Sequence, residues 1–222
     1  MSETDAHVRR RIAMRFVRWL RLIVAASIAA AVVATLAETA SRTTINPFNF
    51  FGYFTIQSNL IGCVVLVVAS VSRPDSPRRD EAILLLRGAA TTYLVVVGLV
   101  YAVLLAPLGA AGGVPLPWAN VVMHVIVPVY FVVDWLLAPD RHPLPWRKFW
   151  IVLVYPLAWC AVVLVRGATD GWVPYPFLDP SSGYGSVAFF VALITLVVTA
   201  AGAAVWGLSR VPAPGTPASP RA

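Results

Sequence analysis

The chain has 222 residues, of which 59% are hydrophobic and only 12% are charged, and its formal net charge is +7. The apolar residues form long runs, and a run of roughly 18 or more can cross the hydrocarbon core of a bilayer as a helix. This composition excludes a soluble globular domain and indicates an integral membrane protein. The positive charge does not indicate nucleic-acid binding, because the arginines are divided among separate short connections.

Six stretches are long and apolar enough to span a membrane, and the connections between them are short. We therefore predict an all-α, polytopic membrane helical bundle that forms a single transmembrane domain over residues 1–208. Its six transmembrane helices are predicted at about 19–40, 52–71, 83–106, 118–137, 149–165 and 186–208. The last segment, 209–222, is rich in proline and small residues and is predicted to be a disordered cytoplasmic tail.

The arginines alternate between the two ends of these spans. They cluster before the first span and in the second-to-third and fourth-to-fifth connections, whereas the opposite face has only Arg42 and Arg166. Because cytoplasmic loops are enriched in Lys and Arg, we expect both termini to be cytoplasmic, with some attraction to anionic lipid headgroups. Lys148 is the only lysine, a bias typical of GC-rich bacterial genomes, so we expect the bacterial plasma (inner) membrane.

The second span begins with a polar stripe. Successive helical residues turn by about 100°, so Thr55, Ser58, Asn59 and Gly62 share one face. One interpretation is structural, since such residues join helices through hydrogen bonds and close packing. The other is functional, since polar groups that persist in hydrocarbon often mark sites of chemistry.

The fourth span contains His124, the only histidine within any predicted span. Pro128, four residues later, is expected to kink the helix and to free the carbonyl of His124. Thr55 and His124 lie near the face opposite the arginines, at depths that agree within about 5 Å. A hydroxyl beside an imidazole is the minimum apparatus for nucleophilic acyl transfer. We predict Thr55 as the nucleophile and His124 as the base, with Ser58 as the competing nucleophile.

The supporting groups are less narrowly determined by the sequence. Asn59, or a freed backbone N–H, is a candidate for stabilising the oxyanion. Glu38 could orient the imidazole or form a separate ion pair with Arg42, four residues on. Asp170 and Asp179, in the last connection of the outer face, are further candidates for the orienting acid.

The remaining titratable residues are assigned to structure. Asp134 lies about 15 Å deeper than the histidine and is predicted to meet Arg87 or Arg141. His7 and His142 fall outside the spans, so no set of metal ligands at usable spacing exists. We expect neither a metal nor a cofactor.

The last outer connection intersperses aromatic residues with prolines, which block a continuous helix. Trp172, Tyr175 and Phe177 are predicted to form a stiff lid or to line a substrate pocket. The alternative is an anchor at the lipid headgroups, where Trp and Tyr are enriched.

Three segments of the chain resemble the androgen-induced family of transmembrane threonine hydrolases, and more closely bacterial Pr6Pr-type membrane proteins. They are residues 51–59 (FGYFTIQSN), 123–128 (MHVIVP) and 171–178 (GWVPYPFL). The resemblance implies hydrolysis of fatty acid esters of hydroxy fatty acids, with Thr55 as nucleophile and His124 as its partner. The chain departs from the animal pattern in its more polar residues 57–59 and in an extra Pro174.

We therefore predict an intramembrane hydrolase, resembling the serine hydrolases, that cleaves such a lipid ester through an acyl-threonine intermediate. Its active site should face the outer leaflet, and its partner is a membrane lipid or lipid ester. The alternative is a non-enzymatic lipid-binding, transport or sensory membrane protein with the same polar cavity. Close approach of Thr55 to His124 beside a pocket would favour the hydrolase.

Overall fold

The computed structural model describes residues 3–72 and 76–212, with side chains described for 11–72, 76–109 and 112–212. This part of the chain contains helices and no strand. The α-helices, in chain order, are α1 (Glu3–Arg42), α2 (Pro47–Phe50), α3 (Phe54–Val71), α4 (Pro77–Val100), α5 (Pro117–Val121), α6 (Val127–Leu137), α7 (Ile151–Thr169) and α8 (Tyr184–Leu208). Two π-helical turns, Tyr101–Leu105 and Val122–Ile126, follow α4 and α5 directly.

Six helical stretches within the described ranges are long and apolar enough to cross a membrane, which confirms the predicted all-α six-span bundle. They are Arg11–Arg42, Phe54–Val71, Pro77–Gly109, Pro117–Leu137, Trp146–Thr169 and Tyr184–Leu208. The first helix begins well before its apolar stretch, because the arginine-rich segment continues the same helix. Most of the predicted tail, residues 213–222, lies outside the described residues.

The two ends of the bundle differ in the number of arginines that they contain. The basic face, as we call it, contains the start of α1, the end of α3, the start of α4 and the connection 138–150. The opposite face contains the end of α1, the start of α3 and the connection 170–183. Of the described arginines, only Arg42 and Arg166 lie at the opposite face.

The start of α3 is set by a short reversal of the chain at the opposite face. Asn46 caps α2, its side-chain oxygen accepting the N–H of Phe48 at 2.9 Å, and the chain then turns at Gly52. Helix α3 begins at Phe54, so Thr55 is its second residue. The first N–H groups of a helix have no carbonyl partner within it, so they are available to other groups.

The spans differ strongly in burial. In their most apolar windows, 56% of α3 is buried but only 11% of α7 and 17% of α8. Helix α3 packs mainly on α1 and α4, whereas α8 packs mainly on α4 and α7. Helices α7 and α8 therefore have large surfaces that do not contact the rest of the described bundle.

Near the basic face, two arginines and two aspartates form a buried ion-pair quartet that joins α1, α4 and α6. Arg21 Nε lies 2.8 Å from Asp134 Oδ1, and Arg87 Nη2 lies 2.7 Å from Asp134 Oδ2. Both guanidinium groups also reach Asp140, at 2.7 Å and 2.9 Å. Each charge is thus paired twice, which is what a buried ion pair needs to offset its desolvation.

The quartet identifies the ion-pair partners of Asp134, which are Arg21 and Arg87. Its predicted pairing with Arg87 is confirmed, whereas Arg141 does not contact it and donates to backbone carbonyls at and beyond the end of α8. Burial alone would raise the pKa of Asp140, but Arg87 and Arg21 outweigh it and hold that pKa below its usual range.

Candidate functional site

Thr55 and His124 line the same cavity, of about 460 Å³, near the opposite face. They reach it from different helices, Thr55 from the start of α3 and His124 from the π-helical turn before α6. Both are buried, with relative exposures of 7% and 5%. The structure thus brings the two predicted catalytic residues to one polar space, together with Leu105, Trp172 and Tyr175.

The hydroxyl of Thr55 forms no hydrogen bond with a carbonyl of its own helix. Each of the other helical threonines with a described side chain donates to the carbonyl four residues earlier; these are Thr35, Thr39, Thr91, Thr92, Thr169, Thr195 and Thr199. Thr55 has no such carbonyl because it lies at the first turn of α3. Its Oγ1 instead lies 3.4 Å from the hydroxyl of Tyr175 and faces the cavity.

Tyr175 is the polar partner of the Thr55 hydroxyl among the described residues. The N–H of Thr55 donates to the Tyr175 hydroxyl at 3.3 Å, which leaves the phenolic proton free to be donated elsewhere. Burial raises the pKa of Tyr175 to about 12, so the phenol is protonated at neutral pH and acts as a donor and not as a base. The sequence predicted Tyr175 as part of a lid or of a pocket lining, and it did not predict the position of its hydroxyl beside Thr55.

The imidazole of His124 is oriented by a backbone group. Its Nδ1 lies 3.1 Å from the carbonyl oxygen of Asn120, one turn earlier, and the ring stacks on Tyr101 with centroids 4.2 Å apart. A carbonyl accepts only, so Nδ1 must carry the proton and Nε2 must carry the lone pair. No described residue bonds Nε2. His124 is therefore held in the tautomer that a general base requires.

The three acids predicted to orient the imidazole are all engaged elsewhere. Glu38 accepts from Arg42 at 2.7 Å, and Asp170 pairs with Arg166 at 2.8 Å. Asp179 accepts the N–H of Ser181 at 2.8 Å and caps a 3₁₀ turn. None of the three therefore orients the imidazole. For Glu38 the structure shows the predicted alternative, the ion pair with Arg42, and a backbone carbonyl orients His124 instead.

Asn59 has a supporting and not an oxyanion-binding position. Its Nδ2 donates to the carbonyl of Thr55 at 2.9 Å and to that of Met123 at 3.3 Å, so both amide hydrogens are used. Asn59 thereby ties α3 to the π-helical turn that holds His124. Ser58 is fully buried and lines neither of the cavities that Thr55 lines, so Thr55 is the better placed hydroxyl.

A second, narrow apolar slot of about 60 Å³ meets the polar cavity at Thr55. Thr55, Leu105 and Tyr175 line both spaces. The slot continues between α4, α7 and α8 over Val97, Leu153, Leu157, Val191 and Ile194. The Thr55 hydroxyl thus lies where a polar, wider space changes to an apolar, narrow one.

The aromatic connection packs over this junction. Trp172 lies against Gly52 so closely that a Cβ there would come within 2.4 Å of its ring, and the Arg166 guanidinium stacks on Trp172 at 4.2 Å. Phe177 stacks on Tyr175 with centroids 5.2 Å apart and lines the apolar slot. Of the predicted lid residues, Trp172 and Tyr175 therefore border the polar cavity, and Phe177 borders the slot.

Thr55 and His124 are not directly hydrogen-bonded to each other in the described chain. Proton transfer between them therefore needs a closer approach or one intervening water. Catalytic hydrogen bonds are often long before substrate binds and tighten in the complex.

Sequence reasoning missed two residues at this site, Asn120 and Tyr101. Asn120 Nδ2 donates to the Tyr101 hydroxyl at 2.5 Å, and Asn120 Oδ1 accepts the N–H of Val114 at 3.2 Å. The spacing of Asn120 and His124, one helical turn, was visible in the sequence. The stacking of Tyr101 was not, because it depends on two π-helical turns that lie side by side.

Comparison with known proteins agrees with this fold. The family model described as FAR-17a/AIG1-like protein matches residues 20–206, a range that includes Thr55, His124 and at least most of every span. No curated protein and no solved structure matches the chain. The chain belongs to the FAR-17a/AIG1-like protein family.

Proposed function

We propose that this protein is an intramembrane hydrolase that cleaves a lipid ester through an acyl-threonine intermediate on Thr55. The observation that carries the proposal is the position of the Thr55 hydroxyl at the junction of a polar cavity and an apolar slot. An ester with its carbonyl at this junction places the first carbons of its acyl chain in the slot and its alcohol part in the cavity beside His124. A fatty acid ester of a hydroxy fatty acid fits that division.

In the proposed mechanism, Thr55 Oγ1 attacks the ester carbonyl carbon while its proton passes to Nε2 of His124. The oxyanion accepts a hydrogen bond from the Tyr175 hydroxyl. Collapse of the tetrahedral intermediate breaks the bond to the alcohol oxygen, which takes the proton from the imidazolium and leaves. Water, losing a proton to His124, then attacks the acyl-threonine, and the fatty acid departs as Thr55 regains its proton.

We further propose that the site faces the outer leaflet of a bacterial plasma membrane. The support is the charge distribution: the described arginines, apart from Arg42 and Arg166, lie at the basic face or just inside it, which is the expected cytoplasmic side. The fatty acid product would then leave sideways along the apolar slot between α4, α7 and α8.

A second candidate function is non-enzymatic binding, transport or sensing of a lipid in the same cavity. The observation that favours it is the lack of a direct hydrogen bond between Thr55 and His124 among the described residues. This alternative predicts binding of the ester without turnover and no covalent intermediate.

Tyr175→Phe is expected to lower kcat by about a hundredfold with little change in KM, because the lost donor acts on the oxyanion and not on the bound ester. The matched control is Tyr53→Phe, because Tyr53 lines the same cavity and its hydroxyl forms no hydrogen bond with Thr55. Steady-state kinetics on a branched fatty ester measures both. A change in KM alone would instead assign Tyr175 to substrate binding.

The experiment that tests the proposed function maps the covalent intermediate. Purified protein in detergent is treated with a fluorophosphonate probe, digested and analysed by mass spectrometry, and hydrolysis of branched fatty esters is followed in parallel. We expect one adduct, on Thr55, and competition between the probe and the ester.

Ser58→Ala provides the matched control, since it removes the neighbouring hydroxyl and should leave labelling unchanged. An adduct on Ser58 would transfer the nucleophile to that residue. Ester binding without labelling or hydrolysis would reject the hydrolase in favour of the binding protein.

A further inference from the structure

A separate cavity of about 910 Å³ opens at the basic face, at the other end of the bundle from Thr55. It lies between the start of α1, the end of α3, the start of α4 and the connection after α6. Its size falls within the range of about 300–1,000 Å³ typical of ligand sites. Its charged lining residues are Arg11, Arg15, Arg18, Arg87, Asp80 and Asp140.

The cations of this cavity form a stripe on α1. Arg11, Arg15 and Arg18 are spaced by four and three residues, which places them on one side of the helix. None of the three forms an ion pair with a described residue. Arg87 and Asp140 neutralise each other within the quartet. Among the described residues of the lining, these three arginines therefore face only the carboxylate of Asp80, and this part of the cavity has a surplus of positive charge.

Two guanidinium nitrogens at this site are buried without an acceptor. They are Nε of Arg18 and Nε of Arg87, and Arg87 is only 3% exposed. A buried N–H is ordinarily hydrogen-bonded, so an orphaned donor on a charged group calls for a partner. These two nitrogens are themselves shielded from the space, so the donors that an anion in the cavity reaches most directly are those of the exposed Arg11 and Arg15.

Apart from Ser72 and His142, the rest of the lining is apolar. Ile12 and Met14 of α1 and Ile83 and Leu84 of α4 line the same space as the arginines. A ligand for this cavity must therefore combine an anionic group with a hydrocarbon part. The cavity also lies at the end of the spans, at the depth of the lipid headgroups.

We infer that this cavity binds an anionic phospholipid, with its phosphate held by Arg11, Arg15 and Arg18 and its first acyl carbons against the apolar lining. Guanidinium groups bind phosphate through paired N–H donors, and basic pockets between spans recognise anionic headgroups. The site is independent of the proposed hydrolysis, because no residue of the cavity that contains Thr55 takes part in it.

The inference is tested by native mass spectrometry of the full-length protein. The protein is titrated with phosphatidylglycerol or with phosphatidylcholine that has the same acyl chains. We expect one phosphatidylglycerol to bind at least about tenfold more tightly than phosphatidylcholine. In the double variant Arg15→Gln/Arg18→Gln, that affinity should fall by about tenfold to thirtyfold.

The matched control is Arg78→Gln/Arg147→Gln, which removes the same charge from exposed positions of the basic face outside the cavity lining. It should change the affinity by less than about twofold. Equal losses in the two double variants would mean a diffuse surface charge and would overturn the site. Displacement of the lipid by glycerol phosphate at equal concentration would show a soluble phosphate ester as the ligand and would overturn the lipid.

A second pair of variants covers the case in which the arginine variant does not fold. Ile12→Glu adds a carboxylate to the cavity lining, and Phe16→Glu adds one four residues along α1, outside that lining. Both positions are well exposed, at 62% and 68%, so neither change disturbs the core. Only Ile12→Glu should weaken phosphatidylglycerol binding, and equal effects would reject the cavity.

Discussion

Thr55→Ala and His124→Ala are each expected to lower kcat for ester hydrolysis by at least about a thousandfold. Alanine at 55 removes the attacking oxygen, and alanine at 124 removes the base that takes its proton. KM should change little, because the acyl chain is held by the slot and not by these two groups. Turnover of a branched fatty ester, with product measured by mass spectrometry, checks both variants.

The double variant Thr55→Ala/His124→Ala should be no slower than either single variant. Groups that act as one unit are strongly non-additive, because the base has no proton to take once the nucleophile is gone. Thr55→Ser restores a hydroxyl and should recover part of the activity, and Ser58→Ala should retain nearly all of it. Multiplicative losses in the double variant would contradict the mechanism and point to two separate binding contacts.

Asp134→Ala is expected to destabilise the folded protein by about 3–5 kcal/mol. The change leaves Arg21 and Arg87 with one shared carboxylate in place of two, in a setting where Arg21 is fully buried. An uncompensated buried charge costs far more than the pair contributes when intact. Thermal unfolding in detergent, followed by circular dichroism, measures the shift in melting temperature.

Asp170→Ala is the matched control, because Asp170 pairs with Arg166 at the exposed end of α7. Exposed ion pairs contribute little to stability, so this variant should melt close to the wild type. Asp134→Asn retains an acceptor oxygen and should fall between the two. Equal melting of Asp134→Ala and Asp170→Ala would mean that the quartet does not hold α1, α4 and α6 together.

The sequence was most informative about the membrane-spanning architecture and about Thr55 and His124. Six apolar runs predict six spans through one physical requirement, the length of helix that crosses the hydrocarbon core. The polar pair could be found because polar groups are rare in such runs and because the alternating arginines relate the depths of two spans. The partner of Asp134 followed from the same reasoning, with Arg87 at the matching depth.

The group behind His124 could not be predicted from the sequence because it is a backbone carbonyl. The acids that the sequence offered bind nearby partners instead. Glu38 pairs with Arg42, and Asp170 pairs with Arg166. Arg21 was counted only among the arginines that indicate the orientation of the first span, yet it is a fully buried member of the quartet. Tyr175 was predicted as a lid or pocket residue because it is aromatic. Its hydrogen bonds to Thr55 depend on how the connection 170–183 folds.

The π-helical turn at Val122–Ile126 makes the site depend on the count of residues and not only on their identity. A π turn contains one residue more than an α turn, and such bulges persist mostly at functional sites. Deleting one residue other than His124 from this turn would convert it into an α turn, so the flanking helical residues would keep their faces while the residues within the turn changed direction. The imidazole would then leave Tyr101 and the cavity although every residue of the proposed site remained in the chain. A deletion of one codon would thus disrupt the proposed site without removing any of its side chains.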